Sequence, residues 1–491
     1  MARLAVAFLW HQHQPLYKNP RSGRYSLPWV RLHALKDYYD MAALAGEFPR
    51  LHLTFNLVPS LLDQIDDYAE GRAADPALDL ARRPAADLDE EERLALLDLF
   101  FSVPYHTLIA PYPRYAGLYH KRSGRGPDGD YREALSRFRD RDLRDLQVWF
   151  HLAWCGQTLR GRAEVKELLA KGEGFTEDEK GSLLDVQAAF MKEIVPIHMR
   201  LKTEGIAEIS TSPYYHPILP LLCNLESARE ALPGLPLPEQ PFRRRGDAEF
   251  QVREALASME RRFGERPLGM WPSEGSLSEE TIRIFGEARL TWTASDEGVL
   301  RGSAGRALQA GDIHKPYLLA GAETGPVIFF RDHRLSDLVG FTYATWPPRA
   351  AAEDFLGRLR ALAVEAPGGV VSVVLDGENA WEHYEGNGVE FLRALYAGLT
   401  SDDDLQTVTL TQAAQRAESI GRLEHLRAGS WIGANFATWI GHPEKNTAWS
   451  LLAAARSEAQ ARLTTRLESH PVFRILAAAE GSDWFWWYGD D

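Results

Sequence analysis

The sequence predicts an α/β protein built on a parallel sheet, and two observations support this prediction. Seven short apolar runs alternate with segments of helical periodicity, an order typical of strands joined by crossover helices. The runs are almost continuously apolar, as expected of strands that are covered on both faces. The predicted strands are Leu4–Trp10, His52–Val58, Ala207–Thr211, Pro267–Trp271, Leu290–Ser295, Val327–Arg331 and Gly369–Asp376.

Residues with chemical function follow these strands directly. In a barrel of parallel strands the carboxyl ends meet at one rim, and reactive groups lie on that rim. A barrel therefore brings all these residues around one cleft, whereas core packing alone predicts no such placement. The residues are His11 and His13, Asn56, Tyr214–His216, Glu274, Asp296, Asp332 and His333, and Asp376–Glu378.

Helical periodicity connects the strands and dominates one long insertion. Residues 61–200, between the second and third strands, are charged and helix-patterned, and Ser123–Asp130 within them has the composition of a mobile loop. The clearest helical segments are Trp29–Glu47, Arg82–Phe101, Arg141–Cys155, Ala248–Phe263, Ser278–Ala288 and Ala350–Val364.

The pattern is helical from Trp381 to the end of the chain. We therefore predict two domains. Residues 1–380 are expected to form the barrel with its insertion 61–200, and residues 381–491 a C-terminal helical bundle packed on the barrel.

Composition excludes several functional classes. The 491 residues carry a formal net charge of −14, which disfavours a nucleic acid partner because such a partner requires a basic face. The two cysteines cannot form a disulfide framework and fit no zinc motif. The apolar start, residues 4–10, is too short to span a membrane and lacks a cleavage site. We expect a soluble cytoplasmic protein without a membrane partner, of unknown oligomeric state.

His11 and His13 end the first strand two residues apart, so both project to one face. Sugar binding and metal binding explain this spacing equally well. A metal would need a third ligand, and His216, His333 or Asp376 could supply it.

Two carboxylates stand out from the acidic residues. Asp376 and Glu378 close a wholly apolar strand, and burying a carboxylate there without a partner costs several kcal/mol. Glu274 follows the fourth strand, where stabilisation of a helix N-terminus is the simpler interpretation of a single glutamate. If the barrel forms, Glu274 and Asp376 lie on one rim, and two facing carboxylates are what glycoside cleavage requires.

Aromatic residues are frequent, with 14 Trp, 17 Tyr and 21 Phe. Most are expected to pack in the core, although aromatic faces also bind pyranose rings. For Trp431, Asn435 and Trp439, which lie in one glycine-containing segment, we favour contact with substrate. For the cluster Trp484–Tyr488 we favour docking of the helical bundle onto the barrel.

Five ordered blocks resemble glycoside hydrolase family 57, and together they cover most of the chain. Segments 27–33 and 54–59 are similar to its amylase and amylopullulanase branch. The blocks are His11–Pro15, Glu208–Pro217, Trp271–Glu274, Asp376–Glu378 and Trp431–Asn446.

The resemblance implies a distorted (β/α)7 barrel, a helical domain after it, and a retaining mechanism without a cofactor or catalytic metal. It assigns Glu274 as the nucleophile and Asp376 as the general acid/base. Relatives often continue beyond an aromatic cluster such as the one before Asp491, so the sequence leaves the natural C-terminus open. The resemblance and the aromatic pattern together assign substrate binding to His11, His13, His216, Trp271, Asp296, His333, Glu378, Trp381, Trp431 and Asn435.

The expected activity is retaining hydrolysis of α-1,4 glucosidic bonds, with α-1,6 bonds as a further class, in an α-glucan or a maltooligosaccharide. A 4-α-glucanotransferase or branching enzyme of the same fold is the main alternative. A metal-dependent deacetylase or mannosidase-like enzyme, with zinc on His11, His13 and Asp376, is a more distant one. A glucan-binding protein without catalysis ranks last, because both carboxylates are present.

Overall fold

The computed structural model of the protein describes residues 3–122, 131–309, 311–322, 324–417, 419–464 and 466–490. The predicted loop Ser123–Asp130 lies outside this part of the chain. Ten strands of the described residues form one sheet: β1 Leu4–Gln12, β2 Leu53–Leu57, β3 Ala207–Ser210, β4 Gly269–Met270, β5 Trp292–Asp296, β6 Tyr317–Leu319, β7 Val327–Arg331, β8 Val370–Asp376, β9 Leu405–Thr407 and β10 Gly421–Leu423.

The seven predicted strands correspond to β1–β5, β7 and β8, and they form a nearly closed parallel barrel. The sheet runs β7-β8-β1-β2-β3, and β5 pairs with both β7 and β4. A single parallel bridge, Thr211 to Met270, joins β3 to β4, while β7 and β8 share only the pair Arg331–Ser372. These two narrow joints distort the barrel, and the predicted distorted (β/α)7 architecture is confirmed.

Three further strands extend the sheet outside the barrel. β6 is antiparallel to β7, β10 is parallel to β6, and β9 pairs in parallel with the start of β1. Each has three residues, too few to show a periodicity in sequence. Because β9 and β10 follow Trp381, the prediction that this region is helical throughout is wrong.

The predicted helices are present, with two local differences. Residues 34–38 of the predicted helix Trp29–Glu47 are π-helical. The predicted helix Arg82–Phe101 is divided at Pro84, because proline disfavours the helical conformation of the residue before it. Asp89 then caps a new helix, Glu90–Leu99, with a capping box. The α-helices are Trp29–His33, Tyr39–Gly46, Pro59–Ala69, Pro76–Arg82, Glu90–Leu99, Pro113–Arg122, Arg132–Leu135, Asp140–Ala153, Gln157–Arg160, Ala163–Lys171, Glu177–Met191, Ile194–Thr203, Leu219–Cys223, Ala228–Ala231, Arg245–Phe263, Glu279–Glu287, Glu297–Ser303, His333–Asp337, Pro348–Glu365, Val389–Ser401, Leu410–Arg416, Pro443–Arg462 and Val472–Ala479.

Alternation along the strands separates two apolar layers. In β1, Phe8 and Trp10 pack in the cluster between the sheet and its helices, whereas Ala7 and Leu9 belong to a smaller cluster with Trp292 inside the barrel. On each strand, the next residue of the inward face after the last apolar one therefore lies at the carboxyl rim of the barrel. None of the helices within the described residues is both long and apolar enough to cross a lipid bilayer.

Candidate functional site

A cavity of about 460 Å³ opens where the barrel strands end. Strand alternation explains its polar floor: Leu9 faces the barrel interior, and two residues later the same face presents His11. The same step of two residues in β5, β7 and β8 leads from an interior apolar residue to a polar one. These steps are Ala294 to Asp296, Phe329 to Arg331 and Val374 to Asp376.

Glu274 lies in a single 3-10 turn, residues 273–275, directly after β4. Its φ of 57° is in the left-handed region, which is costly for a residue with a side chain and occurs most often at functional sites. The Trp431 backbone N–H donates to the Glu274 carbonyl at 2.9 Å and fixes the turn. At Gly275 a Cβ would lie 2.8 Å from the Trp271 ring, so glycine allows the turn to approach that ring.

Two indoles face the Glu274 carboxyl group. Trp431 Nε1 donates to Oε2 at 2.8 Å, and Trp486 Nε1 lies 3.5 Å from Oε1. Burial raises the pKa of Glu274 to about 7; the Trp431 hydrogen bond opposes this rise, and the charge of Asp376 adds to it. Glu274 therefore changes its charge near neutral pH.

Asp376 ends β8 and has fewer donors. Asn379 Nδ2 lies 3.5 Å from its carboxylate. Burial raises the pKa of Asp376, while the charges of His13 and Arg331 lower it. The neighbouring Glu378 is almost completely buried, and its pKa is raised well above the usual value by burial and by the charge of Asp376. Its surroundings therefore favour the protonated form of Glu378.

Three histidine rings stack at the floor of the cleft. His216 lies between the others, with ring centroids 3.9 Å from His13 and 5.1 Å from His11. His11 Nδ1 donates to Asn56 Oδ1 at 2.7 Å, and burial lowers the pKa of His11 to about 3. Burial also lowers the pKa of His216 well below its usual value. Both rings are therefore neutral.

His13 differs from the other two rings. Its Nε2 donates to Asp483 Oδ1 at 2.7 Å. Burial on its own would lower the pKa of His13, but the negative charges of Asp483, Glu274 and Asp376 outweigh it and raise the pKa. Of the three rings, His13 is therefore the one whose charged form the site favours.

His13, His216 and Asp483 bring three ligand atoms within 4.8 Å of one another, the spacing of a candidate metal site. A zinc ion lies in the plane of each imidazole ligand at about 2.1 Å from nitrogen. The His13 and His216 rings are stacked at 3.9 Å with an interplanar angle of 25°, so their planes do not meet at that distance. The observed ring geometry does not fit a metal bound by both His13 and His216.

The family of the chain follows from comparison with known proteins. A family model described as Glycosyl hydrolase family 57 matches residues 7–424. The chain belongs to glycosyl hydrolase family 57. Membership of the family supports a carbohydrate-active enzyme of the glycoside hydrolase or transferase class. No curated protein sequence matches the chain.

Solved structures share the fold of this family 57 chain at low identity. A branching enzyme from Pyrococcus horikoshii is 16% identical, with 99% of this chain and 85% of that chain covered and a TM-score of 0.59. An α-amylase from Thermotoga maritima is 14% identical, with coverages of 100% and 89% and a TM-score of 0.58. Because the similar structures include both types, the predicted amylase and amylopullulanase branch stays a prediction.

In this family 57 chain, eight of the twelve predicted site residues line the cleft. They converge from five strand ends and from the segment after β10. The eight residues are His11, His13, His216, Glu274, His333, Asp376, Glu378 and Trp431.

Two of the other predicted residues support the wall of the cleft. Asp296 accepts hydrogen bonds from Arg331 at 3.0 Å and His333 at 3.1 Å. Trp271 is completely buried and meets Trp431 edge to face at a centroid distance of 5.3 Å. These contacts place both residues directly behind side chains that line the cavity.

Three aromatic or amide residues lie further from the cavity. Trp381 is buried and donates to the Gly377 carbonyl at 3.1 Å. Asn435 bonds within its own loop, accepting from the Ala437 N–H at 2.8 Å. Trp439 is buried under Trp486, at a centroid distance of 5.7 Å. In this structure their polar atoms do not face the cleft.

The lining residues that sequence reasoning missed include Arg331, Asp483 and Trp486. Arg331 ends the apolar strand β7, and a charge in that position was a usable signal because it needs a partner when buried. Trp486 belongs to the cluster predicted to dock the bundle. The docking prediction fits Phe485, which is buried against Trp449. It does not fit Trp486, which faces Glu274 in the cleft.

Proposed function

We propose that the protein is a retaining enzyme acting on α-glucans, with α-1,4 glucosidic bonds as its substrate and α-1,6 bonds as a further class. The observation that carries this proposal is the placement of two carboxyl groups, the buried Glu274 and the half-buried Asp376, on one cleft of a family 57 barrel. The similar structures, branching enzymes and an α-amylase, support the choice of α-glucan as substrate.

The donors around the two carboxyl groups support distinct roles. Glu274 accepts from an indole N–H at 2.8 Å and faces a second indole, so its charged form is stabilised. Asp376 has a single long contact, from Asn379, and burial raises its pKa, which suits a group that must carry a proton to the leaving oxygen. We assign Glu274 as the nucleophile and Asp376 as the general acid/base.

The reaction then proceeds in two displacements. A carboxylate oxygen of Glu274 attacks the anomeric carbon while Asp376 gives its proton to the departing glycosidic oxygen. In the second step Asp376, now ionised, takes a proton from water or from a sugar hydroxyl, whose oxygen attacks the same carbon and releases Glu274. Two inversions give net retention.

The C-terminal part of the chain contributes to this chemistry. Trp431, Asp483 and Trp486, which all follow residue 380, line the cleft together with barrel residues. They are the support for our proposed division into a barrel, 1–380, and a C-terminal region, 381–491, that completes the substrate site. His333, a further lining residue, is held in place through both ring nitrogens, Nδ1 by Asp296 and Nε2 by Asp337.

Hydrolysis and transfer share the glycosyl-enzyme and differ in the acceptor. The test is product analysis of the purified protein on maltotriose and on pullulan, with Glu274→Gln as the inactive control and a chelator-treated sample. Longer oligomers from maltotriose indicate transfer, whereas a rise in reducing ends without longer products indicates hydrolysis. Products that disappear with chelator, or that persist in Glu274→Gln, would contradict the proposal.

A further inference from the structure

The segment Gly481–Trp487 reaches the cleft from outside the family match, which ends at residue 424. Two of its side chains enter the site. Trp486 faces Glu274, and Asp483 accepts the hydrogen bond from His13 at 2.7 Å. The His13–Asp483 pair links residues 470 positions apart in sequence.

Backbone contacts hold this segment against the loop after β3. Pro217 and Gly481 form an antiparallel bridge, and the Ser482 N–H donates to the His216 carbonyl at 2.9 Å. A Cβ at Gly481 would lie 2.7 Å from the Tyr215 carbonyl oxygen, so glycine permits this approach. Asp483 therefore follows a fixed stretch of chain.

Buried side chains anchor the same segment from below. Phe485 is completely buried and packs against Trp449 at a centroid distance of 5.1 Å. Glu480, also buried, accepts from Gln251 Nε2 at 3.0 Å. The position of the Asp483 carboxylate is thus set by packing on both sides of it.

Five titratable side chains, from several elements of the fold, surround the His13 ring. His11 lies on the same chain segment, and His216 stacks on the ring; both are neutral. The carboxyl groups of Glu274 and Asp376 act on the ring through their charge, whereas Asp483 also bonds to it. Asp483 is the acidic partner that fixes both the orientation and the charge of the ring.

We propose that Asp483 is a positioning residue that holds His13 as an oriented imidazolium in the same cleft as the two carboxyl groups of the reaction centre. A positive charge there reduces the cost of ionising Glu274 in a buried site. The charge of Arg331, the other cation lining the cleft, acts on Asp376, whereas among these two cations the charge of His13 acts on Glu274 as well. This inference rests on the proposed roles of Glu274 and Asp376.

The test compares Asp483→Asn, which keeps the shape and removes the charge, with Ser482→Ala. The Ser482 variant removes the hydroxyl bonded to His216 at 3.0 Å but keeps Asp483. Histidine labelled with ¹³C at Cε1 reports each ring by NMR, and His13→Gln assigns the His13 signal. In the wild-type protein we expect His13 to titrate above pH 6.5, and in Asp483→Asn about one to two pH units lower. Ser482→Ala should leave the titration of His13 unchanged.

Kinetics on maltooligosaccharides complete the test. Asp483→Asn should lower kcat at least about 10-fold, more than it changes KM, and Asp483→Glu should restore part of the loss. An unchanged His13 titration in Asp483→Asn, or equal shifts in Asp483→Asn and Ser482→Ala, would overturn the inference. If the titration shifts as expected but the wild-type protein turns over no glucan, the proposed function fails while the pairing of Asp483 and His13 stands.

Discussion

Trp431 Nε1 donates to Glu274 Oε2 at 2.8 Å, and the Trp431 backbone N–H donates to the Glu274 carbonyl at 2.9 Å. One residue of the C-terminal region thus fixes both the backbone turn and the carboxyl group of the proposed nucleophile. Because a donor stabilises the charged form of a carboxylate, this contact favours nucleophilic attack over proton donation by Glu274.

Replacing Trp431 tests that contact through the pH profile. Trp431→Phe removes the N–H donor, so the pKa of Glu274 should rise further above its usual range. The acid limb of kcat/KM, which follows ionisation of the nucleophile and lies near pH 7 in the wild type, should move up by about one pH unit. Trp487→Phe is the matched control, since Trp487 is 81% exposed. An unmoved limb in Trp431→Phe would contradict the assigned role.

Replacing Glu274 separates catalysis from binding. Glu274→Gln should reduce kcat on maltooligosaccharides by about four orders of magnitude or more, because the nucleophile is lost. Binding of the oligosaccharide, measured by calorimetry, should persist. Glu424→Gln, at a side chain that is 82% exposed, controls for the loss of a carboxylate. Substantial residual turnover in Glu274→Gln would mean that another group attacks the sugar.

Replacing Asp376 tests the general acid. Asp376→Asn should lower kcat/KM on maltooligosaccharides by about 10²- to 10⁴-fold, the usual contribution of proton donation. Aryl glucosides with good leaving groups need little protonation, so their glycosylation step should lose far less. Steady-state kinetics on both substrate types give the comparison. Equal losses on the two types would rule out the acid role for Asp376.

The burial of Glu274 also predicts a pH-dependent stability. The pKa of Glu274 is about 7 in the folded protein, against an ordinary value of 4.5. The unfolded chain therefore releases this proton first, and the stability that the protonated group provides below pH 4.5 is lost as pH rises through 7.

The glutamine in Glu274→Gln does not titrate, so this variant does not lose stability in the same way. The difference in free energy of unfolding, variant minus wild type, should therefore increase by about 3 kcal/mol between pH 4 and pH 8. Urea unfolding of both proteins across this range measures the difference. Glu424→Gln should follow the wild type throughout. A pH-independent difference between Glu274→Gln and the wild type would show that the carboxyl group is not desolvated.

Sequence reasoning recovers the barrel because its seven strands carry an apolar signal of their own. It also places His11, Glu274 and Asp376 correctly at strand ends, since alternation and strand polarity are local properties. Asp483 and Trp486 have no such signal, because they reach the cleft only after Gly481 bridges to Pro217 and Phe485 packs on Trp449. Sequence reasoning also failed to predict the three-residue strands β6, β9 and β10, because only their pairing with strands distant in sequence defines them.

The central claim is that Glu274 forms a covalent bond with the sugar. The most direct measurement incubates the protein with a fluorinated α-glucosyl fluoride that slows the second displacement, followed by peptic digestion and mass spectrometry. The account predicts one glycosylated peptide with the sugar ester on Glu274, and no adduct in Glu274→Gln. A sugar ester on Asp376, or turnover of the reagent with inversion and no adduct, would contradict it.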